Sequence, residues 1–190
     1  MTHEIIMAGF GGQGVMLLGK ILATAAIIDG KETTWLSSYG PEMRGGTANC
    51  SVVVSDKPIG SPYVAEPTAA VVLNSPSFEK FEPLVKNGGI LIVNSSLLEL
   101  RSARTDIRSF LVPCTDITVE LGNPRGTNLV ALGALLAATS AVSREAATKA
   151  IAKNFAGKSI SVSSLDQLVQ RGFDAVSKGA VAVKAGLVSA

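Results

Sequence analysis

A chain of 190 residues has room for one layered domain with a substantial core and is too short for two comfortable ones. Charged residues make up only 17%, the net charge is +2 with no dense basic block, and aromatics are 5%, a composition that argues against a nucleic-acid binder. Hydrophobic residues at 47% leave a surface poor in charge, which fits burial against partners and also fits a core rich in small Ala and Gly.

The chain opens on a short apolar run at 4–7, a strand, followed at once by Gly9, Gly11 and Gly14 in the spacing G-x-G-x-x-G. Missing side chains there permit a tight turn and bring backbone N–H groups close to an anion, with the positive end of the following helix dipole aimed at the same place. The same glycines also suit a purely structural turn that lets strand and helix pack closely. Helical spacing of Val15, Leu18, Ile21, Leu22, Ala25 and Ala26 makes the first crossover helix, stopped near Gly30. A β-like run at 33–36 leads into a glycine-rich polar segment containing Tyr39, Glu42, Arg44, Gly45 and Gly46. A strand follows over 47–54, then a loop over 57–62.

The continuous apolar run at 69–73 reads as a strand buried on both faces of a parallel sheet. Asn74 and Pro76 supply helix-start chemistry, and Phe78, Phe81, Leu84 and Val85 its inner stripe, with Gly88 and Gly89 as the stop. Strands are expected at 90–93 and 110–113. Asn128 is expected to cap an apolar helix over 129–141, Ser143 to open another that runs to about Phe155, and 161–190 to form a helix and a small-residue tail. Alternating strands and helices predict an α/β fold: a single layered domain, mostly parallel sheet with flanking helices, right-handed crossovers and a Rossmann-like glycine turn. Residues 1–157 form its main part and 158–190 its C-terminal helix and tail.

Three places could carry chemistry. In the glycine turn, Gly9, Gly11, Gly12, Gln13 and Gly14 suit phosphate, but an acidic residue at the end of the second strand, which a dinucleotide fold would use on ribose, is missing: Glu32 stands at that strand's start. A Walker lysine is missing too. In the second segment, Arg44 can grip a carboxylate or phosphate and Glu42 can orient it or meet a partner, unless both are merely solvated. In the third, Arg125 can reach an anion and Asn128 can cap a helix, unless this is simply a loop and a cap. The isolated cysteines Cys50 and Cys114, read as buried small hydrophobes, and a single terminal histidine, His3, provide no nucleophilic triad, metal site or cluster. No signal peptide is apparent, and the longest apolar stretch falls short of the ~20 residues that span a bilayer, so a cytoplasmic protein without membrane contact is expected.

Read together, Gly9-Phe-Gly-Gly-Gln-Gly14, Ser38-Tyr-Gly-Pro-Glu-Met-Arg-Gly-Gly46, Cys50-Ser-Val-Val-Val-Ser55, Ile59-Gly-Ser-Pro62 and Gly122-Asn-Pro-Arg-Gly-Thr-Asn128 closely resemble the gamma subunit of 2-oxoacid:ferredoxin oxidoreductases. The resemblance covers about residues 4–157 and fades after Lys158, where the family's Lys-Pro gives way to Lys158-Ser-Ile-Ser. It implies a multisubunit enzyme that decarboxylates a 2-oxoacid, most like 2-oxoglutarate, forms an acyl-coenzyme A and reduces ferredoxin. Thiamine diphosphate, Mg and [4Fe-4S] clusters would sit on alpha, beta and a ferredoxin-like delta subunit. This chain would help to bind coenzyme A and pack on the thiamine-bearing core, with Tyr39 to Gly46 at the facing edge. Rival readings are a stand-alone NAD-type nucleotide binder and a purely structural assembly subunit.

Overall fold

The structure, a computed structural model, describes residues 1–39, 47–158 and 160–179. Six strands form a single sheet in the order β2-β3-β1-β4-β5-β6: β1 (Thr2–Phe10), β2 (Glu32–Tyr39), β3 (Thr47–Ser55), β4 (Ala69–Val72), β5 (Ile90–Asn94) and β6 (Arg108–Val112). Strands β1, β4, β5 and β6 pair in parallel, whereas β3 runs antiparallel to both β1 and β2. The expected mostly parallel sheet is therefore present, with one reversed strand inserted beside β1. Strands β4 and β5 are buried at every position, which explains why their sequences are unbroken apolar runs with no alternation.

Strand pleating divides the core into two layers. Ile5 and Met7 of β1 join Val52 and Val54 of β3, Val71, Ile92 and the apolar faces of α1 (Val15–Ile28), α3 (Cys114–Glu120), α4 (Thr127–Thr139), α5 (Arg144–Asn154) and α6 (Val162–Ser177). Ile6, Ala8, Ala70, Val72 and Leu91 point the other way, against Phe78 and Phe81 of α2 (Ser75–Phe81), with Val85 just beyond it. Helix α1 therefore leaves β1 on one face, while α2 leaves β4 on the other.

Three details differ from the sequence reading. Helix α2 ends at Phe81, so Leu84 lies outside its stripe and is 41% exposed, while Val85 still reaches the core. Helix α3, too short to display a full apolar period, had no signature of its own. Asn128 is not a cap: α4 begins two residues earlier than expected, at Thr127 with Gly126 at the N-cap, and the Asn128 side chain is committed elsewhere.

Helices α4 and α6 touch backbone to backbone. A Cβ on Gly133 would stand 1.9 Å from the Val169 carbonyl oxygen, and one on Gly172 would stand 1.9 Å from that of Val130. This close approach seats Leu165, Leu168 and Val169 in the same core as the sheet.

Candidate functional site

Strand β1 ends at Phe10 and α1 begins at Val15, so the glycine turn occupies the carboxyl end of a strand that has β4 as its parallel neighbour. Because α1 and α2 pack on opposite faces, the gap between β1 and β4 is the switch point of the sheet, where open α/β folds hold their ligands. The turn is shaped by its own backbone: the Gln13 N–H donates to the Phe10 carbonyl at 3.1 Å, and Gly12 and Gly14 adopt φ of +97° and +77°. Gly14 is the N-cap of α1 and, lacking a side chain, offers no capping oxygen; no acidic residue stands in the first helical turn. Nothing lies within 4 Å of a Cβ built on Gly12. The N–H groups of Gly12 and Gly14 have no protein acceptor among the described residues, and they join the unpaired first-turn amides of α1. The result is an open, uncapped helix N-terminus with surplus donors, the arrangement that holds a phosphate.

Around this turn the other candidates sort into four groups. Gln13 and Asn128 are drawn into the protein. The Gln13 Oε1 accepts from the Phe10 N–H at 2.6 Å, its Nε2 donates to the Leu73 carbonyl at 3.2 Å, and the Asn128 Nδ2 donates to the Gly14 carbonyl at 3.2 Å. Gly9 and Gly14 are small for packing reasons: a Cβ would come within 2.6 Å of Gln13 Oε1 and 2.7 Å of Asn128 Nδ2, respectively. Gly11 and Arg125 are exposed, and Arg125 forms no ion pair among the described residues. Tyr39 ends β2, its backbone opposite Ala48, whereas Glu42, Arg44, Gly45 and Gly46 lie outside the described residues. Thr47, the first described residue after that segment, pairs with Phe10, so β3 begins directly beside the glycine turn.

Two asparagines at the same edge escaped the sequence reading as site residues. Asn74 follows β4 and is 3% exposed; its Oδ1 accepts from the Ser77 N–H at 2.9 Å and its Nδ2 is buried without a partner. Asn94 ends β5, fully buried, and its Nδ2 donates to Thr115 Oγ1 at 3.0 Å. The signal was available: each apolar strand run is closed by an asparagine.

Neither cysteine suits nucleophilic chemistry. Burial pushes the Cys50 thiol up to about 11, despite hydrogen bonding from Trp35, and the Cys114 thiol up to about 12. His3 stands at the start of β1, seven residues from Phe10 and therefore roughly 20 Å from the turn along the strand. Burial, then the neighbouring Lys31 charge, pushes its pKa down. Among the described residues no three His, Cys, Asp or Glu side chains group into a metal site, and no helix is long and apolar enough to cross a membrane.

A six-stranded α/β sheet with helices on both faces and a glycine turn at its switch point defines a layered domain of the doubly wound α/β class. The profile of the pyruvate ferredoxin/flavodoxin oxidoreductase family matches residues 4–181, and the chain belongs to that family. It is 40% identical over 154 residues to the 2-oxoglutarate synthase subunit KorC of Methanocaldococcus jannaschii, covering 80% of this chain and 82% of that relative. It is also 40% identical over 156 residues to the ketoisovalerate oxidoreductase subunit VorA of Methanothermobacter thermautotrophicus, but spans only 32% of that protein's length against 82% of its own. The gamma subunit of a keto/oxoacid ferredoxin oxidoreductase from Geobacter sulfurreducens superimposes with a TM-score of 0.81 at 32% identity, over 94% of this chain and 98% of that one. The fold alone is shared, at 21% identity and a TM-score of 0.77, with a 2-oxoglutarate:ferredoxin oxidoreductase from Magnetococcus marinus whose structure holds 2-oxoglutarate, coenzyme A and succinyl-CoA; the match spans 99% of this chain and 32% of that one.

Proposed function

We propose that this chain is the gamma subunit of a cytoplasmic 2-oxoacid:ferredoxin oxidoreductase of the 2-oxoglutarate type, and that its glycine turn holds phosphate of coenzyme A. The observation that carries the ligand assignment is the uncapped N-terminus of α1 at the switch point, opened by Gly12 and Gly14 and free of acidic side chains. That site supplies donors for a dianion and no group able to break a carbon–carbon bond. Decarboxylation on thiamine diphosphate with its Mg ion, and electron transfer through [4Fe-4S] clusters to ferredoxin, fall to alpha, beta and delta subunits. Such a division of labour agrees with two buried, protonated thiols and with a surface poor in charge. In the assembled enzyme the segment Tyr39 to Gly46 forms the edge that faces the thiamine-bearing subunits, and Arg125 is the nearest cation in sequence to the α4 N-terminus.

The NAD-type alternative has less support. In a dinucleotide fold the strand next to β1 carries the ribose-binding carboxylate at its carboxyl end, and here that place is taken by β3, which runs the other way. Glu32 opens β2, one strand further out.

Anaerobic affinity purification of the tagged chain, followed by mass spectrometry of every co-purifying chain, tests the assembly. Thiamine-binding and iron-sulfur chains are the expected companions, and recovery of this chain alone from a preparation that preserves other complexes would refute the reading. Coenzyme A titration of the intact complex then tests the turn. Gly12→Asp, which places a carboxylate in the open space beside the donors, should raise KM for coenzyme A by about tenfold while the complex still assembles. An unchanged KM would remove phosphate from this site.

A further inference from the structure

The glycine turn is not free to choose its own geometry, because two side-chain amides from opposite directions hold it. Gln13 projects from within the turn and reaches back: Oε1 accepts from the last amide of β1, that of Phe10, and Nε2 crosses the switch point to the Leu73 carbonyl at the end of β4. Asn128, 2% exposed in the first turn of α4, donates through Nδ2 to the carbonyl of Gly14, the residue that caps α1. That carbonyl already accepts the Leu18 N–H at 2.9 Å, so the bond from Asn128 is not needed to satisfy it. What it fixes is the plane of the Gly14–Val15 peptide, and with it the direction of the N–H groups at the helix start. The fit is exclusive as well as attractive, since a Cβ on Gly14 or on Gly9 would occupy the space these two amides fill.

We propose that Gln13 and Asn128 are positioning residues for the phosphate site: neither touches the ligand, and each orients the backbone donors that do. The inference rests on the phosphate reading of the turn given above. Both amides spend their donors on the protein, Gln13 Nε2 on the Leu73 carbonyl and Asn128 Nδ2 on the Gly14 carbonyl. Gln13 has an inward partner for each of its polar side-chain atoms, and its backbone N–H is also used within the turn. The ligand's donors are then the N–H groups of Gly12, Gly14 and the first turn of α1. Because the braces tie the turn to β4 and α4, its donors are aimed before the ligand arrives, and binding does not have to order them.

The test uses the intact complex carrying Gln13→Met or Asn128→Leu, uncharged replacements of similar shape that cannot make these bonds, with Gly12→Asp as reference. Each brace variant should raise KM for coenzyme A by about tenfold, with kcat at saturating coenzyme A and KM for the 2-oxoacid within about twofold of the parent. Gln13→Glu, which keeps the acceptor for Phe10, should fall between Gln13→Met and the parent when measured at high ionic strength. An unchanged coenzyme A KM in both brace variants, with Gly12→Asp impaired, would overturn the positioning role and leave the phosphate site standing. Equal loss in kcat and in both KM values, or failure of the variants to assemble, would make the amides general structural elements and also overturn it. An unaffected Gly12→Asp enzyme would remove the phosphate reading and this inference together.

Discussion

Gly12 and Gly14 sit two residues apart in one turn, and a side chain would be refused at each for a different reason. At Gly12 the obstacle is the backbone, φ +97° in open space, so a short polar residue is tolerated at moderate strain. At Gly14 the backbone objection is joined by Asn128 Nδ2 at 2.7 Å from the new Cβ. Gly14→Ala should therefore destabilise the chain by about 2–4 kcal/mol, the sum of left-handed strain and overpacking, and Gly12→Ala by only about 1–2 kcal/mol. Thermal unfolding of the two variants side by side checks the ordering, and equal losses would contradict the interlock. The thiols give a second residue-scale expectation. Both have folded pKa values raised by burial above the ordinary thiol range, Cys50 to about 11 and Cys114 to about 12. The stabilisation of the protonated forms is complete below the unfolded value and is lost as pH rises through the folded values. Stability should hold near pH 8 and fall from about pH 9 upward, with alkylation of both cysteines tracking unfolding. Rapid alkylation of the native chain at pH 8 would show the burial to be wrong.

Among the elements, the α4 and α6 pair is the most demanding contact. Gly133 and Gly172 each leave room for a carbonyl of the facing helix, which a methyl group would strike at 1.9 Å. Gly133→Ala or Gly172→Ala should cost about 3 kcal/mol and loosen α6, because backbone cannot give way as a flexible side chain does. Hydrogen exchange across 162–177 should rise selectively; unaltered protection would mean that the helices separate without penalty. At the other end of the scale, Ser143 caps α5 by accepting the Ala146 N–H at 3.0 Å and also meets Asp29. Ser143→Ala should cost about 1 kcal/mol, read as a shift in the denaturant midpoint. The elements were legible to different degrees for physical reasons. Strands β4 and β5 were plain because burial on both faces forces an unbroken apolar run. Helix α1 was plain because a sheet-facing helix repeats its apolar residues at helical spacing. Helix α3, seven residues long, shows no complete period, and the reversal of β3 leaves no local mark, since an edge-side strand alternates in the same way whichever direction it runs. Asn128 was read as a cap because it precedes an apolar run. The true start was hidden because Gly126, the actual N-cap, has no side chain to announce it.

For the whole molecule, the glycine turn and its family were readable from motifs in order, while the braces were not, because Leu73 and Asn128 are remote in sequence and become neighbours of the turn only through the parallel pairing of β1 with β4 and the docking of α4. The sheet edge formed by β2 presents an exposed Trp35 and Leu36, and its single charge is Glu32 at the start of the strand. A long edge with so little charge is expected to be covered in the complex proposed above. The isolated chain should accordingly self-associate as concentration rises, and Leu36→Lys should suppress this in light scattering while leaving the thermal midpoint within a few degrees. A monodisperse monomer at all concentrations would argue that the edge needs no cover.

The bond from Asn128 to the Gly14 carbonyl joins residues 114 positions apart. During synthesis the amide that sets the peptide plane of the turn therefore emerges 114 residues after the turn itself. Until then the nascent glycine turn lacks this brace, and on the proposed phosphate reading a truncated product ending before α4 should carry the full motif yet bind coenzyme A more weakly.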